Sequence, residues 1–85
     1  MFFVYILKSQ KDKNLYFGFT KDLRKRFKEH NLGLVRSTKS RQPFDLVYYE
    51  AYRSKQDAME REHNLKLRTK AFRQLKQRIK LSCEA

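Results

Sequence analysis

The chain begins with two short apolar runs separated by a polar segment. Residues 2–7 form a continuous aromatic and β-branched run, which predicts a strand buried on both faces and therefore central in its sheet. Residues 10–14 are polar and typical of a turn, and residues 15–19 resume as a second strand. Two strands joined by so short a turn are most simply an antiparallel hairpin, in which Gly18 indicates a bulge or a close backbone approach.

A helical period replaces the strand pattern after the hairpin. Leu23 and Phe27 lie four residues apart and give an apolar stripe, and Arg26 and His30 follow the flank of that stripe with the same spacing. The pattern predicts a helix over residues 21–31.

The two ends of this helix carry their own signals. Thr20 is a favourable N-cap residue, and Asp22 would lie in the first turn, where the helix dipole favours an acidic side chain. Gly33 can adopt the left-handed conformation that ends helices, so we expect the helix to stop just before it. Residues 34–43 are then expected to form a polar, basic loop.

The second half of the chain predicts one strand and two helices. Residues 44–52 are rich in strand-forming side chains, and Ser54 with Asp57 forms a capping signal for a second helix. Glu62 falls on the stripe of that helix that should face the sheet, an unfavourable place for an unpaired carboxylate. We expect a break around residues 68–70 and a last, basic helix over about residues 70–81. The element order is β-β-α-β-α-α, an α+β fold in a single domain over residues 1–85.

The charge of the chain points to a partner. The 85 residues include 21 Lys and Arg but only 9 Asp and Glu, which gives a formal net charge of +12. Basic residues outnumber acidic ones by 11 to 5 up to Tyr52 and by 10 to 4 after it, so the charge is spread through the folded segments. A globular domain this basic indicates a polyanionic partner, and nucleic acid is the first candidate.

Cysteine and hydropathy exclude some other classes of protein. The single cysteine, Cys83, can form neither an internal disulfide nor, alone, a zinc site. No run approaches the roughly 18 apolar residues of a membrane span. We therefore expect a cytoplasmic protein that makes no use of a membrane.

The ordered motifs resemble those of the GIY-YIG nuclease superfamily in its small single-domain form. The first half of the signature appears as Val-Tyr-Ile at residues 4–6, and the second half as Tyr-Phe-Gly at residues 16–18. Residues 22–31 resemble the family's catalytic helix. A basic loop ending in Pro43, the third strand and the helix segment 61–66 follow in the same order. The resemblance covers residues 2–66 well and the last helix loosely. Val4, Phe17 and Phe19 depart from the family pattern, and the first two keep strand character.

The resemblance implies a fold and a chemistry. The fold is a small three-stranded antiparallel sheet flanked by helices, and the chemistry is metal-dependent hydrolysis of a phosphodiester bond. DNA is the expected substrate, and a structure-selective endonuclease is favoured because no separate sequence-reading module is evident. The matching positions are Tyr5, Tyr16, Arg26, His30 and Glu62 as catalytic residues, with Glu62 as the metal ligand. The expected nucleic-acid contacts are Lys21, Arg24, Lys25, Arg36, Lys39 and Arg41.

Each catalytic position suits a particular role. One carboxylate, Glu62, suffices for a hard divalent ion such as Mg²⁺ or Mn²⁺, which keeps mostly water and phosphate ligands. Arg26 offers a planar fork of donors to phosphate oxygens. Tyr5 is favoured as the base that deprotonates the attacking water, with Tyr16 as a ligand for water or phosphate. This requires nearby cations to lower the tyrosine pKa from its usual value of about 10. His30 is a competing acid–base group.

Two alternative functions remain open at this point. The chain could be a nucleic-acid-binding protein that keeps the fold without catalysis, or a nuclease subunit activated by a partner. Arg26 and Glu62 favour an enzyme, because a mere binder has no use for an acid on the inner stripe, where it repels phosphate. Homodimerisation is also left open, because the apolar face of the last helix could pack on its own sheet or on a second copy.

Overall fold

The computed structural model describes residues 1–84. In chain order the elements are β1 (Phe2–Ser9), β2 (Leu15–Thr20), α1 (Leu23–Asn31), a 3₁₀ turn (Lys39–Arg41), β3 (Phe44–Tyr52), α2 (Lys55–Lys66), α3 (Lys70–Arg78) and α4 (Lys80–Glu84). The three strands form one antiparallel sheet in the order β2-β1-β3. The predicted α+β architecture is therefore confirmed.

β1 is the central strand, and its two faces are buried by different elements. Val4 and Ile6 point to one face, Tyr5 and Leu7 point to the other, and all four are at most 1% exposed. This accounts for the uninterrupted apolar run in the sequence, because a strand covered on both sides has no polar face to alternate with.

The main hydrophobic core lies between one face of the sheet and the second and third helices. Ala58 and Leu65 of α2 and Phe72 of α3 are buried there against Val4 and Ile6. Leu75 and Ile79 also belong to this core, so the apolar face of the last helical segment packs on its own sheet. Full burial of side chains of this size contributes about 1.5–3 kcal/mol each.

A smaller core on the opposite face holds α1 in place. Leu23 and Phe27, the predicted apolar stripe of this helix, pack against Leu7, Phe44 and their neighbours. The sheet therefore separates α1 from α2 and α3, and Tyr5 lies on the side that α1 covers.

The structure corrects two of the predicted helix boundaries. α1 begins at Leu23 because Asp22 is its N-cap and accepts a hydrogen bond from the Lys25 amide, whereas Thr20, two residues earlier, accepts the amide of Asp22. Gly33 has the predicted left-handed backbone, with φ of 73°. The single last helix was also a wrong prediction, because the chain leaves helical geometry at the buried, β-branched Ile79 before α4 begins.

The break between the second and third helices is confirmed. Leu67 caps α2, and Arg68 follows with a positive φ of 54° before α3 starts at Lys70. Within residues 1–84, no helix has both the length and the apolar character needed to cross a bilayer.

Candidate active site

The Tyr5 ring lies across β2, over the one position where the sheet has no side chain. Tyr5 is paired with Gly18 in the register of the hairpin, so the two residues point to the same face. A Cβ atom on Gly18 would lie 2.2 Å from Cζ of Tyr5, far inside van der Waals contact. The glycine of the second motif is therefore required by the close approach of the tyrosine in the first motif.

His30 connects Tyr5 to the basic loop. The Tyr5 hydroxyl lies 2.9 Å from Nε2 of His30, and Nδ1 of His30 lies 2.7 Å from Oγ1 of Thr38. Thr38 Oγ1 is in turn 3.5 Å from the carbonyl oxygen of Val35. Both His30 and Thr38 are fully buried. The last turn of α1 and the loop after it therefore form one hydrogen-bonded chain that ends at the catalytic-motif tyrosine.

The direction of each hydrogen bond follows from the two ends of this chain. Arg26 carries only donors, and its charge favours the ionised form of Tyr5, while the Tyr5 O–H donates to Nε2 of His30, as the other end of the chain requires. At the other end, a carbonyl oxygen can only accept, so Thr38 donates to Val35 and accepts from Nδ1–H of His30. His30 is thus a neutral imidazole protonated at Nδ1.

The pKa values of the pair agree with this arrangement. Burial, together with the neighbouring Tyr16, raises the pKa of Tyr5 to about 12, against the lowering effect of Arg26. Burial and the positive charge of Arg26 lower the pKa of His30 to about 4. The prediction that cations would lower the tyrosine pKa is therefore wrong for Tyr5, because burial outweighs the single guanidinium. Tyr5 is protonated at neutral pH.

Aromatic rings enclose the imidazole of His30. The centroid of the Tyr16 ring lies 5.1 Å from it, and that of Phe44 lies 5.8 Å away, both in edge-to-face geometry. The rings of Tyr5 and Tyr16 are 6.5 Å apart. The two signature tyrosines therefore meet on one face of the sheet, with His30 packed against both.

Arg26 lies at the exposed side of this cluster. Its side chain is 39% exposed and forms an ion pair of 3.3 Å with Glu29, one turn further along α1. Although burial opposes the charged form, Tyr5 and Glu29 together raise the pKa of Arg26 above its ordinary value. A permanently charged guanidinium thus stands next to the Tyr5 hydroxyl with part of its surface open to solvent.

Glu62 approaches from α2, on the other side of the sheet. This helix contacts both β1 and β2, and the charge of Glu62 is one of those that raise the pKa of Tyr5. Its carboxylate is 20% exposed and pairs with Lys66 at 3.1 Å. Glu62 therefore faces inward as the apolar stripe predicted, and an ion pair relieves the cost of that placement.

The donor set fits a hard divalent ion bound through one carboxylate. Residues 1–84 contain no group of three or more His, Cys, Asp or Glu side chains that could enclose a metal. Glu62 nevertheless offers hard oxygen ligands, and its partner Lys66 is 49% exposed on the same helix, so that pair opens at little cost. Water and phosphate oxygens would complete the ligand set that Mg²⁺ prefers.

The predicted nucleic-acid contacts do not all stand free on the surface. The exposed members are Lys21, Arg24, Lys25, Arg36 and Lys39. Arg41 is different, because its guanidinium bridges Asp12 with Nε 2.6 Å from Oδ2 and also donates to the carbonyl of Asn14. Arg41 therefore links the basic loop to the hairpin turn, so its role is structural.

A polar network that the sequence did not reveal fixes α2 on the sheet. Arg61 donates two hydrogen bonds to the carboxylate of Glu50 in β3, at 2.9 and 3.0 Å. Tyr48 and Tyr52 donate to the same carboxylate. Arg61 is adjacent to Glu62 in the chain, so this network also sets the position of the candidate metal ligand.

Thr38 is the other residue of the site that was not identified in advance. It lies eight residues from His30 in a loop without hydrophobic periodicity, and only the folding of that loop brings its hydroxyl to the imidazole. Its one signal was a polar, non-basic side chain among basic ones, which is too weak to single it out.

Comparison with known proteins agrees with the geometry. A family model described as the GIY-YIG catalytic domain matches residues 1–79. UPF0213 proteins of Staphylococcus aureus strains Mu3 and N315 are each 43% identical over 79 residues, covering 89% of this chain and 95% of the relative. The solution NMR structure of the UPF0213 protein BH0048 from Bacillus halodurans has a TM-score of 0.57 and 36% identity, and the match covers 95% of this chain and 85% of that one. Since the family match spans nearly the whole chain and includes both tyrosine motifs, the chain belongs to the GIY-YIG family of nuclease domains.

Proposed function

We propose that this protein is a metal-dependent endonuclease that hydrolyses phosphodiester bonds in DNA and selects its substrate by structure. The observation that carries the proposal is the hydrogen-bonded chain from Tyr5 through His30 to Thr38, placed beside the charges of Arg26 and Glu62. A protein that only binds nucleic acid has no use for the carboxylate of Glu62 near this cluster, because a carboxylate repels phosphate.

The tyrosine–histidine pair supports general-base catalysis without an ionised tyrosine. As a water molecule attacks phosphorus, its proton passes to the Tyr5 oxygen while the Tyr5 proton passes to Nε2 of His30. The new bond joins the water oxygen to phosphorus, the bond to the leaving oxygen breaks, and that oxygen takes a proton from solvent. Thr38 is a positioning residue, because its hydroxyl accepts Nδ1–H and keeps Nε2 free to accept.

The remaining residues bind the phosphate. Arg26 can donate to the phosphoryl oxygens from its exposed side and stabilise the charge that develops on them. Tyr16, beside His30 and partly exposed, is placed to bind the attacking water or a phosphate oxygen. Glu62 would hold Mg²⁺ or Mn²⁺, which when bound supplies positive charge to the phosphate and to the leaving oxygen.

The test is cleavage by the purified protein. Supercoiled plasmid, single-stranded, branched and RNA substrates are incubated with Mg²⁺, with Mn²⁺ or with EDTA. Arg26→Ala and Glu62→Ala are compared with Lys28→Ala and Glu60→Ala, which remove the same charges from exposed positions of the same two helices. We expect metal-dependent cleavage that the first pair reduces by about 10²-fold or more and the second pair leaves nearly unchanged.

Two outcomes would contradict the proposal. Cleavage that persists in Glu62→Ala would show that Glu62 is not the metal ligand. Binding without cleavage on every substrate would leave a non-catalytic binder or a partner-activated subunit. The expectations of a cytoplasmic location and of a homodimer or protein partner rest on the sequence alone and stay predictions.

A further inference from the structure

A second concentration of positive charge surrounds a concave pocket where the turn between β1 and β2 meets α3 and α4. The pocket has a volume of about 230 Å³, and four of its lining residues are cations: Lys8, Lys13, Arg68 and Lys76. No acidic residue lines it. We refer to these four residues and the space between them as the basic pocket.

The backbone at two of these cations adopts a conformation that L-residues avoid. Lys13 has φ of 63° and Arg68 has φ of 54°, and within residues 1–84 they are the two non-glycine residues with positive φ. One ends the turn of the hairpin and the other follows the cap of α2, and both are positions where glycine is the usual residue. Strained backbone of this kind collects at ligand sites. Here both instances place a cation on the same pocket.

An aromatic ring holds the charged groups together. The guanidinium carbon of Arg68 lies 5.1 Å from the centroid of the Phe72 ring, and Nζ of Lys76 lies 5.9 Å from it. Lys8 donates to the carbonyl of Cys83, which orients its ammonium group and leaves it further donors. None of the four cations forms an ion pair with a residue of the range 1–84. Like charges are therefore held close together without a counter-charge, which favours binding of a multiply charged oxyanion.

The basic pocket lies on the face of the sheet that α2 and α3 cover, whereas Tyr5 and Tyr16 lie on the face that α1 covers. Leu15, which lines it, immediately precedes Tyr16. Arg68 follows Lys66, the ion-pair partner of Glu62, after a single residue. Because β2 is an edge strand, a nucleic-acid strand whose scissile phosphate lies at Arg26 and Glu62 would reach the pocket by passing around this edge.

We propose that the basic pocket binds a backbone phosphate of the nucleic-acid substrate, at a distance from the bond that is cleaved. The inference rests on the proposed function for the identity of the polymer, and it adds these four residues to the contacts that were expected by residue number. Backbone phosphates carry no sequence information, so this contact fixes the position of the strand.

The experiment compares two double variants of equal charge. Lys13→Gln/Arg68→Gln removes two cations from the pocket, and Lys11→Gln/Lys70→Gln removes two exposed cations that do not line it. Binding of a fluorescent branched DNA is measured by anisotropy in EDTA over a range of salt concentrations. We expect the first variant to bind about tenfold more weakly than the second and to lower the slope of log K against log [salt] by about one.

A third variant separates binding from folding. Lys13→Gly removes the cation and also the strain at a positive φ, so its Tm should be unchanged or higher while its DNA affinity falls. A parallel drop in Tm and affinity would overturn the proposal, because the residue would then act through the fold.

The outcomes also distinguish the pocket from the catalytic proposal. If the pocket variant alone loses affinity while the wild type cleaves nothing, the pocket stands and the nuclease assignment fails. Equal losses of DNA affinity in both double variants, or no DNA binding by the wild type, would overturn the proposal for the pocket. Amide shifts at Lys13 and Arg68 on titration with inorganic phosphate that DNA does not reverse would identify a free phosphate as the ligand and also overturn it.

Discussion

Gly18 and Tyr5 show how one residue without a side chain positions another. The Tyr5 ring is held on one side by the backbone of β2 and on the other by the hydrogen bond to His30, so it has no room to move. Neither restraint depends on a metal or substrate. The hydroxyl is therefore placed before any ligand arrives, which is the condition for efficient proton transfer.

Substituting Gly18 should disturb the tyrosine before anything else. In Gly18→Ala the new methyl group would collide with the Tyr5 ring, which must tilt and lose His30. We expect a loss of about 1–3 kcal/mol in the free energy of unfolding, measured in urea. Under the proposed function, the cleavage rate should also fall at least about tenfold.

The matched control is Gly18→Ala in a variant that lacks the Tyr5 ring. In a Tyr5→Ala background, Gly18→Ala should cost much less stability, giving a coupling energy of at least about 1 kcal/mol. Additive effects of the two substitutions would mean that the clash is not the cause.

Side chains of the site differ in how far the sequence predicts their positions and pKa values. The motif positions of Tyr5, Tyr16 and Arg26 were enough to predict that these residues belong to one site, because strand register and helix period decide which side chains share a face. The pKa of Tyr5 could not be predicted in the same way, since it depends on how much of the ring the rest of the chain covers. The role of Thr38 could not be predicted for a related reason, because its contact with His30 exists only once the basic loop has folded.

Among the elements, α2 is the one that a polar network rather than hydrophobic contact orients. Two of its residues, Ala58 and Leu65, reach the core, while Arg61 ties the middle of the helix to β3 through Glu50. Both partners are less than one third exposed, so the hydrogen bonds are shielded from water. The position of Glu62 thus depends on a contact made by its neighbour.

Removing the Glu50 carboxylate should therefore affect both stability and the candidate metal ligand. Glu50→Ala leaves Arg61, Tyr48 and Tyr52 without their common acceptor, and we expect a loss of about 1–3 kcal/mol in the free energy of unfolding. Under the proposed function, the Mg²⁺ concentration that gives half-maximal cleavage should also rise.

The control is a substitution at Asp45, an exposed acid in the same strand that bonds only to the exposed side chain of Gln10. Asp45→Ala should leave both stability and metal dependence nearly unchanged. If the two alanine variants behave alike, Glu50 does not orient α2.

The elements themselves were largely predictable. All three strands and the first two helices follow from runs or periods of apolar positions and from cap and turn residues, because β1 buries both faces and the other elements bury one. The errors lie at ends and breaks: Asp22 caps α1 in place of Thr20, and Ile79 separates α3 from α4. Such ends are decided by competing local hydrogen bonds and by where the chain must turn to stay on the core, neither of which has a period.

For the molecule as a whole, lowering the pH should reduce the stability of the fold through His30, a residue of the candidate site. The chain already carries a formal net charge of +12 near neutrality. Lowering the pH adds positive charge, and His30, buried and neutral in the fold, must become protonated once it is exposed by unfolding. A lower pH therefore destabilises the fold in two ways, through the buried His30 and through the added positive charge on the surface.

The pH dependence of stability follows from the sign of that shift. The pKa of His30 falls from 6.5 to about 4 on folding, so the unfolded chain binds the extra proton first. The contribution of His30 is fully present above pH 6.5 and is lost progressively as the pH falls to about 4. We expect the Tm, followed by circular dichroism, to fall by several degrees across this window.

Two histidine substitutions provide the comparison. His30→Gln should flatten the dependence of Tm on pH between 6.5 and 4, whereas His63→Gln, at an exposed position of α2, should leave it as in the wild type. An unchanged slope in His30→Gln would show that another group controls acid stability.

The two faces of β1 have a consequence for how this fold can change over evolutionary time. Tyr5 shares its strand with Val4 and Ile6 of the main core and is itself buried, so its loss would open a cavity as well as remove the proposed proton acceptor. Arg26 and Glu62 lie on helices with part of their surface in solvent, and either can be exchanged with little damage to packing. A lineage that abandons the chemistry should therefore discard the arginine and the glutamate first and retain the tyrosine. Tyrosines that are retained without the charged pair would then indicate the fold alone, whereas the proposed nuclease requires the charged pair together with Tyr5 and His30.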